Sequence, residues 1–106
     1  MNTKNNSPEL KFLIVEDNEE SAYLLKTLLV RFQAEILLAL NGEQAVKICE
    51  KHRDINLILM DIKMPVMDGF RATQKIREFN KEVVIIAQTA YAHESDTEQA
   101  LAIGCN

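Results

Sequence analysis

The sequence is short of cysteine, of glycine and of clustered positive charge, and each shortage removes a class of function. Cys49 and Cys105 stand 56 residues apart (105 − 49) with no CxxC spacing. That excludes a disulfide framework and a zinc site of paired thiols, and both are expected to be structural thiols. His52 and His93 lack metal-ligand spacing and are read as surface residues. There are three glycines, and none falls in Glu16-Asp17-Asn18-Glu19. A glycine-rich cradle for the phosphates of a nucleotide or flavin is therefore missing from the first loop. The formal charge is −4, with no Lys/Arg-dense run and no helix-turn-helix, so nucleic acid is a poor partner. No apolar stretch approaches the roughly 20 residues of a membrane span. Met1 to Pro8 is polar and lacks the apolar centre of a secretory signal. A cytoplasmic domain that neither crosses a membrane nor binds nucleic acid is expected.

What is present is a core and a repeating order. With 106 residues, 47% of them hydrophobic, the chain can bury one small domain. Residues 1–10 show no apolar period and read as a flexible lead-in to a domain over 11–106. Lys11 to Val15 is a compact apolar run, as expected of a strand buried on both faces. After it, Ala22, Leu25, Leu28, Leu29 and Phe32 recur at helical spacing, opposite Glu19, Glu20, Lys26 and Arg31. The pattern then repeats. Glu35 to Leu40 reads as a strand, Asn41-Gly42 as a turn, and Glu43 to His52 as a helix with Ala45, Val46 and Cys49 inward. Asn56 to Met60 is a strand running into Asp61, and Pro65 bars a helix through the loop that follows. Asp68-Gly69 opens a helix carrying Phe70, Thr73 and Ile76. Val83 to Ala87 is a fourth strand. Ser95-Asp96-Thr97-Glu98 matches a capping box, and Gly104 suits the stop of the helix it starts. Strands alternating with single helices imply an α/β fold, a three-layer doubly wound parallel sheet.

In such sheets ligands sit at the carboxyl ends of the strands. The first strand delivers Glu16 and Asp17 there, the third Asp61, and the fourth Thr89 and Ala90. Three carboxylates in one cleft repel one another, and a hard divalent cation relieves this. Mg²⁺, or Mn²⁺ in its place, suits a site of few carboxylates and several waters. A carboxylate can also act as a nucleophile toward phosphorus, and a hydroxyl such as that of Thr89 can donate to a phosphoryl oxygen.

Taken together, Ile14-Val15-Glu16-Asp17-Asn18, the stretch Met60 to Gly69 with its Met64-Pro65 and Asp68-Gly69, and Thr89-Ala90 resemble the receiver domain of response regulators and hybrid histidine kinases. The resemblance runs from about Leu10 to Asn106. It implies a flavodoxin-like sheet of strand order 2-1-3-4. It also implies that Asp61 accepts a phosphoryl group from a phosphohistidine of a histidine kinase or phosphotransfer domain, switching an output domain. Asp17 and Asp61 would ligate the metal through side chains, Lys63 through its backbone carbonyl, and Glu16 mainly through water. Thr89 would be the switch hydroxyl, and Ala90 would stay small to give the phosphoryl group access. Lys63 and Tyr91 would tune hydrolysis of the acyl phosphate.

The family pattern continues past a residue such as Gly104 with a fifth strand that ends in a lysine, then a proline and a fifth helix. The sequence as given stops at Asn106, so this β-α unit is expected to be missing. The fourth strand should then be an exposed edge, favouring a homodimer or segment exchange, and phosphotransfer should be weaker. A docking or dimerisation module that is never phosphorylated is the alternative. A phosphatase with an aspartate nucleophile is disfavoured, because its second acid would stand where Lys63 does.

Overall fold

The computed structural model describes residues 10–62, 67–88, 101–102 and 104–106. Most of the expected lead-in, the loop around Pro65 and the capping box at Ser95 lie outside the described residues.

The apolar runs become four strands: β1 (Lys11–Val15), β2 (Glu35–Ala39), β3 (Leu57–Asp61) and β4 (Val84–Gln88). They alternate with α1 (Glu19–Leu29), α2 (Gly42–Lys51) and α3 (Gly69–Arg77), and a 3-10 turn over Val30–Phe32 extends α1. Every pairing is parallel, in the order β2-β1-β3-β4. This is the order and the flavodoxin-like architecture expected. β1 has the expected bounds, and those of β2, β3 and β4 move by one residue. β3 takes in Asp61 itself, and β4 starts at Val84 and ends at Gln88, its register partner.

α1, α2 and α3 each start on a side-chain cap. Asn18, Asn41 and Asp68 accept from the backbone N–H groups of Ser21, Gln44 and Arg71 at 2.8, 2.9 and 2.9 Å. Each cap satisfies a donor that the first helical turn leaves unpaired, worth about 1 kcal/mol. Asn41-Gly42 is thus a cap and first helical residue, not a separate turn.

Among the described residues, the two faces of the sheet are covered unequally. Leu13, Val15, Ile58, Met60 and Ile85 pack with Ala45 and Cys49 of α2 and Ala72 and Ile76 of α3 into one core. Phe12 and Ile14 alternate to the other face, where the Phe12 and Phe32 rings meet edge-on at 6.0 Å. α1 packs over β1 on that side. Of its expected apolar stripe only Ala22 is buried, whereas Leu28 is 59% and Phe32 52% exposed. Val84 and Ile86 of β4, also outside the core packing, are 40% exposed each. A helix lying over one strand cannot bury a whole stripe, and this accounts for the shortfall.

Leu13→Ala is expected to cost about 2–5 kcal/mol in urea unfolding, because the side chain is fully buried in a closed core. Val84→Ala should cost about 1 kcal/mol or less.

Candidate functional site

β1 and β3 lie side by side with Val15 opposite Met60. One residue further on, their carboxyl ends present Glu16 and Asp61 to the same space. Asp17 follows, and one carboxylate oxygen from each of the three lies within 4.8 Å of the others. Asp61 is buried, Glu16 is half-buried and Asp17 is exposed. The backbone holds these positions tightly. Glu16 N–H donates to Ala39 O of β2 at 3.0 Å, and Ile62 N–H to Gln88 O of β4 at 3.1 Å. Asn18 caps α1 and turns its N–H onto Glu16 Oε2 at 3.1 Å.

The electrostatics follow from this packing. Burial pushes the Glu16 carboxyl up to about 7, against an ordinary value of 4.5. The Asn18 N–H opposes that rise, while the Asp61 charge and hydrogen bonds to Asp61 and Asp17 add to it. Metal-free, the cleft therefore retains a proton near neutral pH. The same oxygen-only donor set fits a hard divalent cation, whose charge would take over the proton's role. Thr89, Ala90 and Lys63, the other site residues expected from the sequence, lie outside the described residues.

Two glycines not expected at the site shape its floor. A Cβ on Gly69 would collide with the Asp61 carbonyl oxygen and come within 2.9 Å of Ile62 Cα and Met60 Cγ. Only glycine lets α3 begin against the strand that carries Asp61, where Gly69 N–H donates to Ile62 O at 3.0 Å. Gly42 likewise has no room for a Cβ beside the Met67 carbonyl, to which its N–H donates at 3.1 Å. The only local sign of either role was the Asp68-Gly69 pair after the loop.

The fold and site together define an α/β domain whose parallel sheet carries a cluster of three acids at its carboxyl edge. Residues 12–106 match the response regulator receiver domain. The chain belongs to that family and is a receiver domain of a two-component phosphorelay. It is 46% identical over 103 residues to hybrid signal transduction histidine kinase G of Dictyostelium discoideum, covering 92% of this chain and 3% of the kinase. It is 32% identical over 127 residues to the osmolarity two-component system protein SSK1 of Saccharomyces cerevisiae, covering 93% of this chain and 18% of that protein. The chain thus spans only a small part of either relative. Among solved structures, the CheX–CheY–BeF3–Mg²⁺ complex from Borrelia burgdorferi superposes with a TM-score of 0.87 at 29% identity, over 92% of this chain and 74% of that one. The receiver domain of Ssk1 in complex with the phosphotransfer protein Ypd1 gives 0.82 at 33% identity, over 96% and 78%. No described helix is long and apolar enough to cross a membrane.

Two outcomes are expected. In EDTA the folded protein holds the Glu16 proton up to about pH 7 and the unfolded chain only to about 4.5. Between these values the folded state binds more protons. This contribution to stability is therefore full at low pH and lost as pH rises through about 7. Melting temperature should fall from about pH 5 to about pH 8, less so in Glu16→Gln, and Mg²⁺ should restore it at the alkaline end. A flat EDTA profile, the same in both proteins, would count against a crowded acid cluster. Gly69→Ala should cost about 1–3 kcal/mol in urea unfolding, since backbone must move to admit the methyl group.

Proposed function

We infer that Asp61 is the phosphoryl acceptor of this receiver domain, with phosphohistidine as donor. The observation that carries this is the convergence of Glu16, Asp17 and Asp61 at the carboxyl ends of adjacent strands. An Asp61 carboxylate oxygen attacks phosphorus in line. The P–N bond to the donor imidazole breaks, and an acyl phosphate forms on the aspartate. The imidazole nitrogen keeps the bonding pair and takes up a proton.

The residues divide this work. Burial strips most water from Asp61, and its carboxylate shares the cleft with Glu16 and Asp17. Asp17 and Asp61 would hold Mg²⁺ through their side chains, Lys63 through its backbone carbonyl, and Glu16 through water. When bound, Mg²⁺ neutralises charge on the transferring phosphoryl oxygens. Thr89 directly follows β4, whose Gln88 pairs with Asp61. Its hydroxyl would donate to the phosphoryl group and couple phosphorylation to movement of the segment after β4. Ala90 would leave room for the phosphoryl group. The partner is a histidine kinase or phosphotransfer domain, and the likeness to the Ssk1 receiver bound to Ypd1 supports the second. The switched state would act on an output domain.

Incubation with Mg²⁺ and acetyl phosphate should add the mass of one phosphoryl group. The gain should vanish in Asp61→Asn and in EDTA. Full labelling of Asp61→Asn would place the acceptor elsewhere.

A further inference from the structure

The turn from β2 into α2 supplies no acid to the cleft, yet its backbone is bonded to both sides of it. On one side Ala39 O, at the end of β2, accepts from Glu16 N–H at 3.0 Å. On the other, Gly42 N–H at the start of α2 donates to Met67 O at 3.1 Å. Three residues separate the two contacts (42 − 39), a reach of at most about 11 Å. Reciprocal caps fix the turn between them. Asn41 Oδ1 accepts from Gln44 N–H, and Gln44 Oε1 accepts from Leu40 N–H, each at 2.9 Å. This pairing satisfies two donors at the helix start and ties the incoming chain to α2.

Glycine at position 42 answers to its neighbours and not to its own backbone angle. Positive φ occurs among the described glycines at Gly104, not at Gly42. A helix favours alanine over glycine, and its first position also accepts proline. Asn41 is extended, at φ −159 and ψ 175, as a residue before proline would be. Local preference therefore runs against glycine here. The neighbouring backbone demands it: a Cβ would collide with Met67 O and lie 3.1 Å from both Asp68 O and Ala72 Cβ. The residues it would displace lead straight to Asp61. Asp68 caps α3, and Gly69 after it lies against the Asp61 carbonyl with no room for a Cβ.

We propose that the β2–α2 turn is a brace across the acid cleft and that Gly42 is a positioning residue for phosphoryl transfer to Asp61. Two main-chain hydrogen bonds set Glu16 against residues 67–69, and close packing of Gly69 passes that placement to the Asp61 carbonyl. The proposal rests on the reading of Asp61 as the phosphoryl acceptor beside Mg²⁺. It adds a residue that touches neither metal nor phosphoryl group and fixes the geometry in which both are held.

Gly42→Ala and Gly42→Pro test this, through Mg²⁺ affinity by calorimetry and the initial rate of labelling by acetyl phosphate at saturating Mg²⁺. Alanine adds the Cβ, and proline adds it and removes the N–H. Labelling should slow roughly tenfold in Gly42→Ala and further in Gly42→Pro, because small displacements of reacting groups carry penalties of that size. Mg²⁺ should bind more weakly in the same order. Gln44→Ala, which loosens the turn without crowding it, should slow labelling about two- to fivefold, and it carries the test where a Gly42 variant does not fold. Ile55→Val and Ile55→Ala, in the core ahead of β3, lower stability through a cavity alone and should label and bind Mg²⁺ like the parent. If the turn variants label at the parent's rate, or slow no more than Ile55 variants of matched urea midpoint, the turn is structural only and the brace is overturned. A parent that takes up no phosphoryl group overturns the acceptor reading and the brace with it, so the two failures are distinct.

Discussion

Glu16 and Asp61 come together because β1 and β3 are neighbours in parallel register, with Val15 opposite Met60. Glu16 directly follows β1, and Asp61 is the last residue of β3. Two carboxylates held together, one buried and one half-buried, are unfavourable when both are charged. A proton on Glu16, or a cation in the cleft, relieves the repulsion. The Asn18 N–H on Glu16 is a partial compensation supplied by the chain. The rest of the architecture can be understood as what holds two carboxylates in place against their repulsion.

Rigidity at the cleft comes from apolar strands and close backbone approach. Leu13, Val15, Ile58 and Met60 are fully buried, so the strand ends cannot separate to relieve the charge without opening the core. Gly69 brings the start of α3 against the Asp61 carbonyl, and Gly42 brings the start of α2 against the Met67 carbonyl. Both ends of the segment between β3 and α3 are thereby fastened, at Ile62 and at Met67. A side chain at either glycine would loosen that fastening at the point where a nucleophile needs fixed geometry.

The alternation of strand and helix was legible in the sequence because every strand is a short apolar run bounded by polar residues. The acids were legible because each directly follows such a run, so strand order alone brings them together. Three things were not legible. The burial of α1 was overestimated: a helical stripe reports which residues could be buried, not how much surface lies opposite. Asn41 was read as a turn when it is a cap, since both uses favour the same residue. The contacts of Arg77 with Gly104 and Asn106 join residues 27 and 29 apart, and no local pattern announces a contact of that range. Thr89, Ala90 and Lys63 rest on the family pattern, not on described geometry.

The two ends of the sheet carry different loads. At the carboxyl ends the chain assembles acids, an arrangement that lowers stability unless a proton or a cation joins them. At the amino ends it assembles complementary groups. Lys11 N–H donates to Asn56 Oδ1 and Asn56 N–H to Lys11 O, each at 2.8 Å. Asn80 Oδ1 accepts from Glu82 and Val83 N–H at 3.1 and 3.0 Å. Arg77 then ties the Asn80 carbonyl to residues 104–106. These are backbone closures and one planar guanidinium, which hold geometry better than the exposed ion pair of Lys47 and Glu43 can. Strain tolerated at a functional site persists only where the surrounding structure over-determines it. Here that surplus lies in the shared core and at the opposite end of the same strands, away from the groups that must change charge.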